Sequence, residues 1–286
     1  LIPNKNTSVF NMKKTLSIAA LLCGLCTGLH AASMVTAWTG GAGPTEGNTY
    51  DVNNAGNWSN GVPNRNGNAG PDVIFANTGT INVSGSLVDT SDGGSITVTG
   101  NSTVTVGGSR WTGNVTVGTG STLSLGQVDF KSSLITLDGT LNLNVCGIDP
   151  GGDGARLVFG IGGILNVDQK MWGAGSFSVS GLLATTSTDV AAGEFQFVTR
   201  TLINSGGFDG GDVSLGEFLA EDGSSLTKAS AKMEGNAADH QGQYYIYKDG
   251  NTIKVQYVVG GAVPEPATAT LSLLGLAALM MRRRRA

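Results

Sequence analysis

The chain has 286 residues, 45 of them Gly, and 13% carry charge, where an ordinary soluble domain has about 7% Gly and about 25% charge. Gly costs roughly 1 kcal/mol per helical position relative to Ala, so the composition argues against a helical bundle and for short strands joined by frequent turns. From Ser33 to Val263 ten Lys or Arg face twenty Asp or Glu, and an acidic body without clustered bases excludes nucleic acid as a partner.

Residues 1–11 are polar and patternless and read as an over-extended start, with Met12 as the true beginning. Residues 12–32 read as a signal peptide: Met12-Lys13-Lys14 is a positive n-region, Leu16 to Leu29 an apolar run, and Ala31-Ala32-Ser33 the small-residue close where cleavage is expected. Such a segment calls for the Sec translocon and signal peptidase as partners. Cys23 and Cys26 spell C-x-x-C inside that apolar run, so they read as signal residues, not a redox or metal pair. Cys146 alone remains in the body, and one cysteine forms no internal disulfide.

Residues 33–79 are a Trp-containing cap segment, with Trp38-Thr-Gly-Gly, Asn57-Trp58-Ser-Asn-Gly and Pro71-Asp-Val-Ile-Phe75. Two readings of Trp38 and Trp58 compete. They cover the apolar edge of the first open coil, as terminal repeats must, or they stack on a sugar from a loop rich in Asn and Gly. The cap is the expected role.

From residue 80 to 185 one small pattern recurs. Ile81-Asn-Val83, Ile96-Thr-Val98, Val104-Thr-Val106, Val115-Thr-Val117, Leu123-Ser-Leu125, Ile135-Thr-Leu137, Leu141-Asn-Leu143, Leu165-Asn-Val167 and Phe177-Ser-Val179 are all apolar-polar-apolar triplets. Period-two alternation puts two side chains of each on one face, so each triplet is a short half-buried strand. Strands this short are stable only when they stack on near copies of themselves or close into a sandwich. The fold expected is therefore all-β: a parallel β-helix or β-solenoid with terminal caps, with an antiparallel β-sandwich as the alternative. Asp138-Gly-Thr-Leu-Asn-Leu143 and Gly163-Ile-Leu-Asn-Val167 resemble the rungs of autotransporter passenger-type repeats.

Residues 186–262 form a C-terminal β region. Residues 213–238 are the one place a short helix fits, through Leu215, Phe218 and Leu219. Gln243-Tyr-Tyr-Ile-Tyr247 and Thr252-Ile-Lys-Val-Gln-Tyr-Val258 flank Asp249-Gly250, a hairpin turn signal. In that closing hairpin Tyr245 and Tyr247 share a face and are expected to meet aliphatics across the pair.

Residues 263–286 are a tail in three parts. Val263-Pro264-Glu265-Pro266 is followed by an apolar stretch of about 15 residues, roughly 22 Å as a helix against the about 20 residues needed to span a bilayer. Arg282, Arg283, Arg284 and Arg285 then stay cytoplasmic by the positive-inside rule. The tail reads as a transmembrane helix that spans with help from arginine snorkelling. The tail closely resembles the PEP-CTERM sorting signal of Gram-negative bacteria. That resemblance implies recognition by an exosortase, transient anchoring in the inner membrane, and delivery to the cell surface or the exopolysaccharide matrix.

Little in the body carries catalytic chemistry. His240 is the one histidine left after signal removal and has no G-x-S-x-G beside it, so it reads as a surface residue. One His and one Cys do not make a zinc site, and no metal or cofactor is assigned. Calcium is the single ligand the acidic turns suggest, at Asp149-Pro-Gly-Gly-Asp-Gly154 and Asp209-Gly-Gly-Asp212, though neither matches a known calcium loop. Asn57, Asn82, Asn101 and Asn114 begin formal glycosylation sequons that read as chance in a Thr- and Asn-rich chain. The function expected is a non-enzymatic structural or adhesive protein of the surface or matrix, with exopolysaccharide as a partner. The alternative is a polysaccharide-active enzyme or carbohydrate-binding protein on a β-helix.

Overall fold

A computed structural model of the protein describes residues 34–63, 70–85, 87, 94–130, 133–148, 155–172, 177–209 and 213–261. The expected signal peptide and the expected transmembrane tail lie outside these residues. No helix among the described residues is long and apolar enough to cross a membrane.

Two sheets carry the chain. The first runs β1 (Val35–Ala37), β3 (Asp72–Ala76), β5 (Ser95–Thr99), β7 (Asn114–Val117), β9 (Leu134–Leu137), β11 (Ala155–Phe159), β14 (Phe177–Leu183) and β18 (Val213–Ala220). The second begins β2 (Thr49–Asp51), β4 (Thr80–Ser84), β6 (Thr103–Trp111), β8 (Thr122–Phe130), β10 (Thr140–Ile148), β12 (Ile164–Val167) and β16 (Phe195–Ser205). It then continues through β21 (Thr252–Gly261), β20 (Gln243–Asp249) and β19 (Thr227–Lys228). Beside it lie β13 (Met171–Trp172), β15 (Thr186–Ala192) and β17 (Phe208–Asp209).

Every pairing along the first sheet is parallel, and so is every pairing of the second from β2 to β16. From β1 to β12 the chain alternates between the sheets, so each strand up to β10 pairs with the one two ahead, and beyond β12 the pairings skip the extra strands β13, β15 and β17. That is a β-solenoid, and parallel winding excludes the antiparallel sandwich. A coil takes 18 residues from Thr122 to Thr140 and 24 from Thr140 to Ile164, rising by about 4.8 Å, the ordinary spacing between paired strands.

All nine triplets lie in strands, and both apolar residues of each are buried. Facing sheets thus fill the coil interior with one continuous column of Val, Leu, Ile and Phe. Two strands of this core escape the triplet pattern. In β3 and β11 the middle residues Ile74 and Val158 are apolar but occupy the outward register of Thr97 and Thr136, while Val73, Phe75, Leu157 and Phe159 point in and are fully buried.

The sequence suggested a helix within 213–238, and the structure corrects it. Residues Val213–Ala220 form β18 against β14, with a bulge that places Phe218 opposite Gly181 and Phe218 in the core. Gly216 weakens a helix there, and the edge of β14 offers backbone partners that a lone turn of helix would lack. Helical geometry among the described residues is limited to single 3₁₀ turns at Ala55–Asn57 and Ala237–His240.

The closing hairpin is present as β20 and β21, antiparallel, with Gly250 at φ 56° in its turn. Tyr245 and Tyr247 share a face as expected, but the residues they meet across the pair are polar, not aliphatic. Tyr244 and Ile246 face the core, with Ile246 opposite Val255, whereas Tyr245 and Tyr247 pair with Gln256 and Lys254 and stack on each other at 5.4 Å. The register follows from β16, where Ile203 opposite Ile253 sets the inward phase of β21.

Candidate functional site

The outer face of the second sheet carries a polar ladder. Asn82, Thr105, Ser124, Asn142, Asn166 and Asn204 occupy the same register in six successive strands. They point outward because the residues on either side of each, apolar except for Ser205, point in. Asn142 Nδ2 donates to Ser124 Oγ at 3.3 Å, and Asn166 Nδ2 donates to Asn142 Oδ1 at 2.9 Å. One register further on, Gln169 Nε2 donates to Asn144 Oδ1 at 3.1 Å. Thr80, Thr103, Thr122 and Thr140 form a parallel column. At the C-terminal end of the ladder an open groove of about 410 Å³ is lined by Asn142, Asn166, Asp168, Asn204 and Ser205. Amides and hydroxyls offer donors and acceptors at a fixed repeat, which suits hydrogen bonding to hydroxyl-rich ligands, not proton transfer.

One half-buried charged group is clamped by backbone carbonyls. Arg200, on β16, sends Nη2 to the Gly160 carbonyl at 2.6 Å and to the Gly163 carbonyl, and Nη1 to the Leu182 carbonyl at 3.3 Å. It thus ties the turn between β11 and β12 to the end of β14. Burial lowers the Arg200 pKa, with Tyr257 and Asp138 opposing that shift. Burial in turn raises the Asp138 carboxyl above its ordinary value, against the pull of Arg200. The pair serves the turns of the coil, and no open site adjoins it in the groove described above.

The N-terminal edge of the solenoid is aromatic. Trp38 meets Trp58 edge to face at 4.8 Å and Tyr50 at 5.3 Å, and Trp58 meets Phe75 at 5.6 Å. Trp58 is only 4% exposed, and its indole N–H donates to the Val52 carbonyl at 2.8 Å. It presents no open ring face to a sugar. Trp38 is half-buried over the same cluster. Asn57, the first sequon residue, is buried, and its amide bonds the Asp51 carbonyl and the Ala42 N–H.

His240 closes the second 3₁₀ turn, its ring within hydrogen-bonding distance of the Glu234 carbonyl and Gln243 Oε1 and 5.7 Å from the Phe197 ring. Cys146 is fully buried on β10 beside Met171 and Val128, and burial pushes its thiol pKa up, so it is an unreactive core residue. Among the described residues no group of three or more His, Cys, Asp or Glu could hold a metal ion. The turn at 149–154 and residues 210–212 of the second acidic turn lie outside the described residues.

Val263, Pro264, Glu265, Pro266 and the arginines Arg282 to Arg285 also lie outside them. The last described strand, β21, runs to Gly261, paired with β15 to Gly261 and with β16 to Gly260. The ladder and this exit were the features sequence reasoning missed. The ladder was visible only as the repeated middle residues of the triplets, and the exit had no signal beyond Gly260-Gly261.

No curated protein and no solved structure matches the chain. Residues 262–285 match the PEP-CTERM protein-sorting motif, starting one residue beyond the last strand, and this motif implies exosortase-dependent sorting of an exported protein that is transiently anchored in a membrane.

Proposed function

We propose that the exported body is a non-enzymatic structural or adhesive element of the cell surface or extracellular matrix, and that its ladder face contacts matrix exopolysaccharide. The observation that carries this reading is the register of Asn82, Thr105, Ser124, Asn142, Asn166 and Asn204 along one face. A polymer of hydroxylated rings repeats along its own axis, and a protein face with one polar group per coil meets it over many units. Each contact is weak, about 1 kcal/mol for a neutral hydrogen bond, so binding strength comes from the number of rungs engaged. A parallel solenoid also resists extension, because each coil is bonded to both neighbours along its length.

The test is a panel of neutral and acidic polysaccharides offered to the purified body. Retention without release of shorter chains is expected, weakened by Asn142→Leu with Asn166→Leu and unaffected by Trp58→Phe. Turnover of any polymer overturns the non-enzymatic reading in favour of a polysaccharide-active enzyme. No retention at all removes the adhesive role and leaves a purely structural one. Sorting is checked separately by mass spectrometry of released protein, which should end at or near Pro264-Glu265-Pro266. Replacing those three residues by Ala should trap full-length protein at the membrane.

A further inference from the structure

The sorting motif begins one residue after a strand that is held on both sides. Proteases take substrates as extended chains over several residues on either side of the cleaved bond, pairing with substrate backbone as a sheet edge does. The backbone just upstream of this motif is already paired. Gly260 N–H donates to the Thr185 carbonyl at 2.9 Å and Gly261 N–H to the Glu194 carbonyl at 3.0 Å. Thr186 and Ser187 of β15 lie opposite Gly260 and Gly261, Ala192 returns opposite Gly261, and Phe195 of β16 faces Gly260. A turn at Gly193, φ 85°, with Glu194 N–H donating to the Ala191 carbonyl, joins the two arms.

The fit around the exit is close. A Cβ on Gly261 would lie 1.9 Å from the Ala191 carbonyl oxygen, and one on Gly260 would lie 2.8 Å from the Phe195 ring. At Gly261 the colliding atoms are backbone, so a side chain there would displace the turn. Yet the arm itself is lightly anchored. Of β15's seven residues only Val190 is buried, at 8% exposure, and beyond backbone pairing the arm is held by a Thr186 hydroxyl bond to the Glu221 carboxylate. Segments with few buried contacts and exposed backbone bonds open locally far below the free energy of global unfolding.

We propose that β15 and the turn into β16 form a clasp over Gly260 and Gly261, and that this clasp must open before a sorting protease can take the chain upstream of the motif into its cleft. The inference rests on the sorting reading and adds to it a step controlled by the body. The tail is cut at a rate set by how often β15 lifts. The body is thereby presented for cutting with its last paired residues, Gly260 and Gly261, adjoining the motif.

The experiment is a pulse-chase of tail loss in the native host, with the full chain, following the size of the exported protein. Inserting six Gly and Ser residues after Gly261 leaves the body intact and supplies free chain upstream of the motif. Tail loss is expected to become several-fold faster. Val190→Asn, which loosens the one buried anchor of β15, should accelerate tail loss in the wild-type background and have no further effect in the insertion variant. Hydrogen exchange at Gly260 and Gly261 should rise in that variant while the β8 and β10 amides stay protected. An insertion variant that loses its tail at the wild-type rate or slower overturns the clasp. Failure of the wild type to lose its tail at all overturns the sorting reading beneath it.

Discussion

Gln256 and Met233 exchange two hydrogen bonds: the Met233 amide donates to Gln256 Oε1 at 2.9 Å, and Gln256 Nε2 donates back to the Met233 carbonyl at 3.0 Å. Both residues are buried. Gln256 alternates along β21 with Val255 and Tyr257, which belong to the core, so the segment around Met233 covers the opposite face of the strand and uses one amide side chain as its fastening.

Replacing Gln256 by Leu should therefore cost more than its shape suggests. It strands a buried N–H and a buried carbonyl, at about 1–3 kcal/mol for each unsatisfied group. Urea unfolding of residues 33–262 should show a lowered midpoint for Gln256→Leu, and a smaller change for Tyr245→Leu on the same outer face. Equal effects would mean that the fastening contributes nothing of its own.

Two adjacent glycines should behave differently. A Cβ on Gly206 would lie 2.0 Å from the Gln169 carbonyl oxygen and 2.4 Å from that of Asp168, whereas one on Gly207 meets nothing nearer than Lys170 Cβ at 3.8 Å. Backbone oxygens cannot step aside without moving a coil. Gly206→Ala is expected to destabilise by about 1–3 kcal/mol, the range for overpacking a tight interior. Gly207→Ala should stay within about 0.5 kcal/mol. Thermal melts of the two variants side by side give the comparison.

Arg200 and Asp138 set a pH dependence. The folded Asp138 pKa lies above its ordinary value because of burial, with Arg200 opposing the rise. A carboxyl with a raised folded pKa favours the native state when protonated, so its contribution is full below the unfolded value and lost as pH rises through the folded one. Asp138→Asn should thus remove the fall in stability that sets in as pH rises from the unfolded carboxylate value through the raised folded one, seen as a flatter stability curve over that rise. Arg200→Met removes the opposing charge and leaves the Gly160, Gly163 and Leu182 carbonyls without their donor. It is expected to cost about 2 kcal/mol at neutral pH and to steepen the fall. A parallel shift of all three curves would dissociate Asp138 from the effect.

Trp58 is predicted to be a stability residue. Truncation to Ala should cost about 3–5 kcal/mol, as for other buried Trp side chains. Trp58→Phe should cost about 1 kcal/mol for the lost bond to the Val52 carbonyl. Trp38→Ala, at a half-buried site over the same cluster, should cost less than Trp58→Ala. Guanidinium unfolding of the three variants ranks them.

Which side chains go inside along the repeats was legible from local alternation alone. Alternation is a local property: in Leu141-Asn-Leu143 the two leucines share a face whatever strand lies beside them, and both are buried. The hairpin turn at Asp249-Gly250 was equally local, since glycine takes positive φ without steric cost. The tail motif was legible for the same reason, as three parts in contiguous order. Partnership was not local. Whether Ile96-Thr-Val98 lies beside Val104-Thr-Val106 or Val115-Thr-Val117 depends on how the chain winds, and the tertiary structure chose the latter. The buried face of β20, the strand at Val213–Ala220, the ladder from Asn82 to Asn204 and the clamp of Arg200 all follow from that choice. Each depends on backbone groups contributed by residues about one coil or more away, and a linear pattern carries no record of which distant carbonyl or amide a strand will meet.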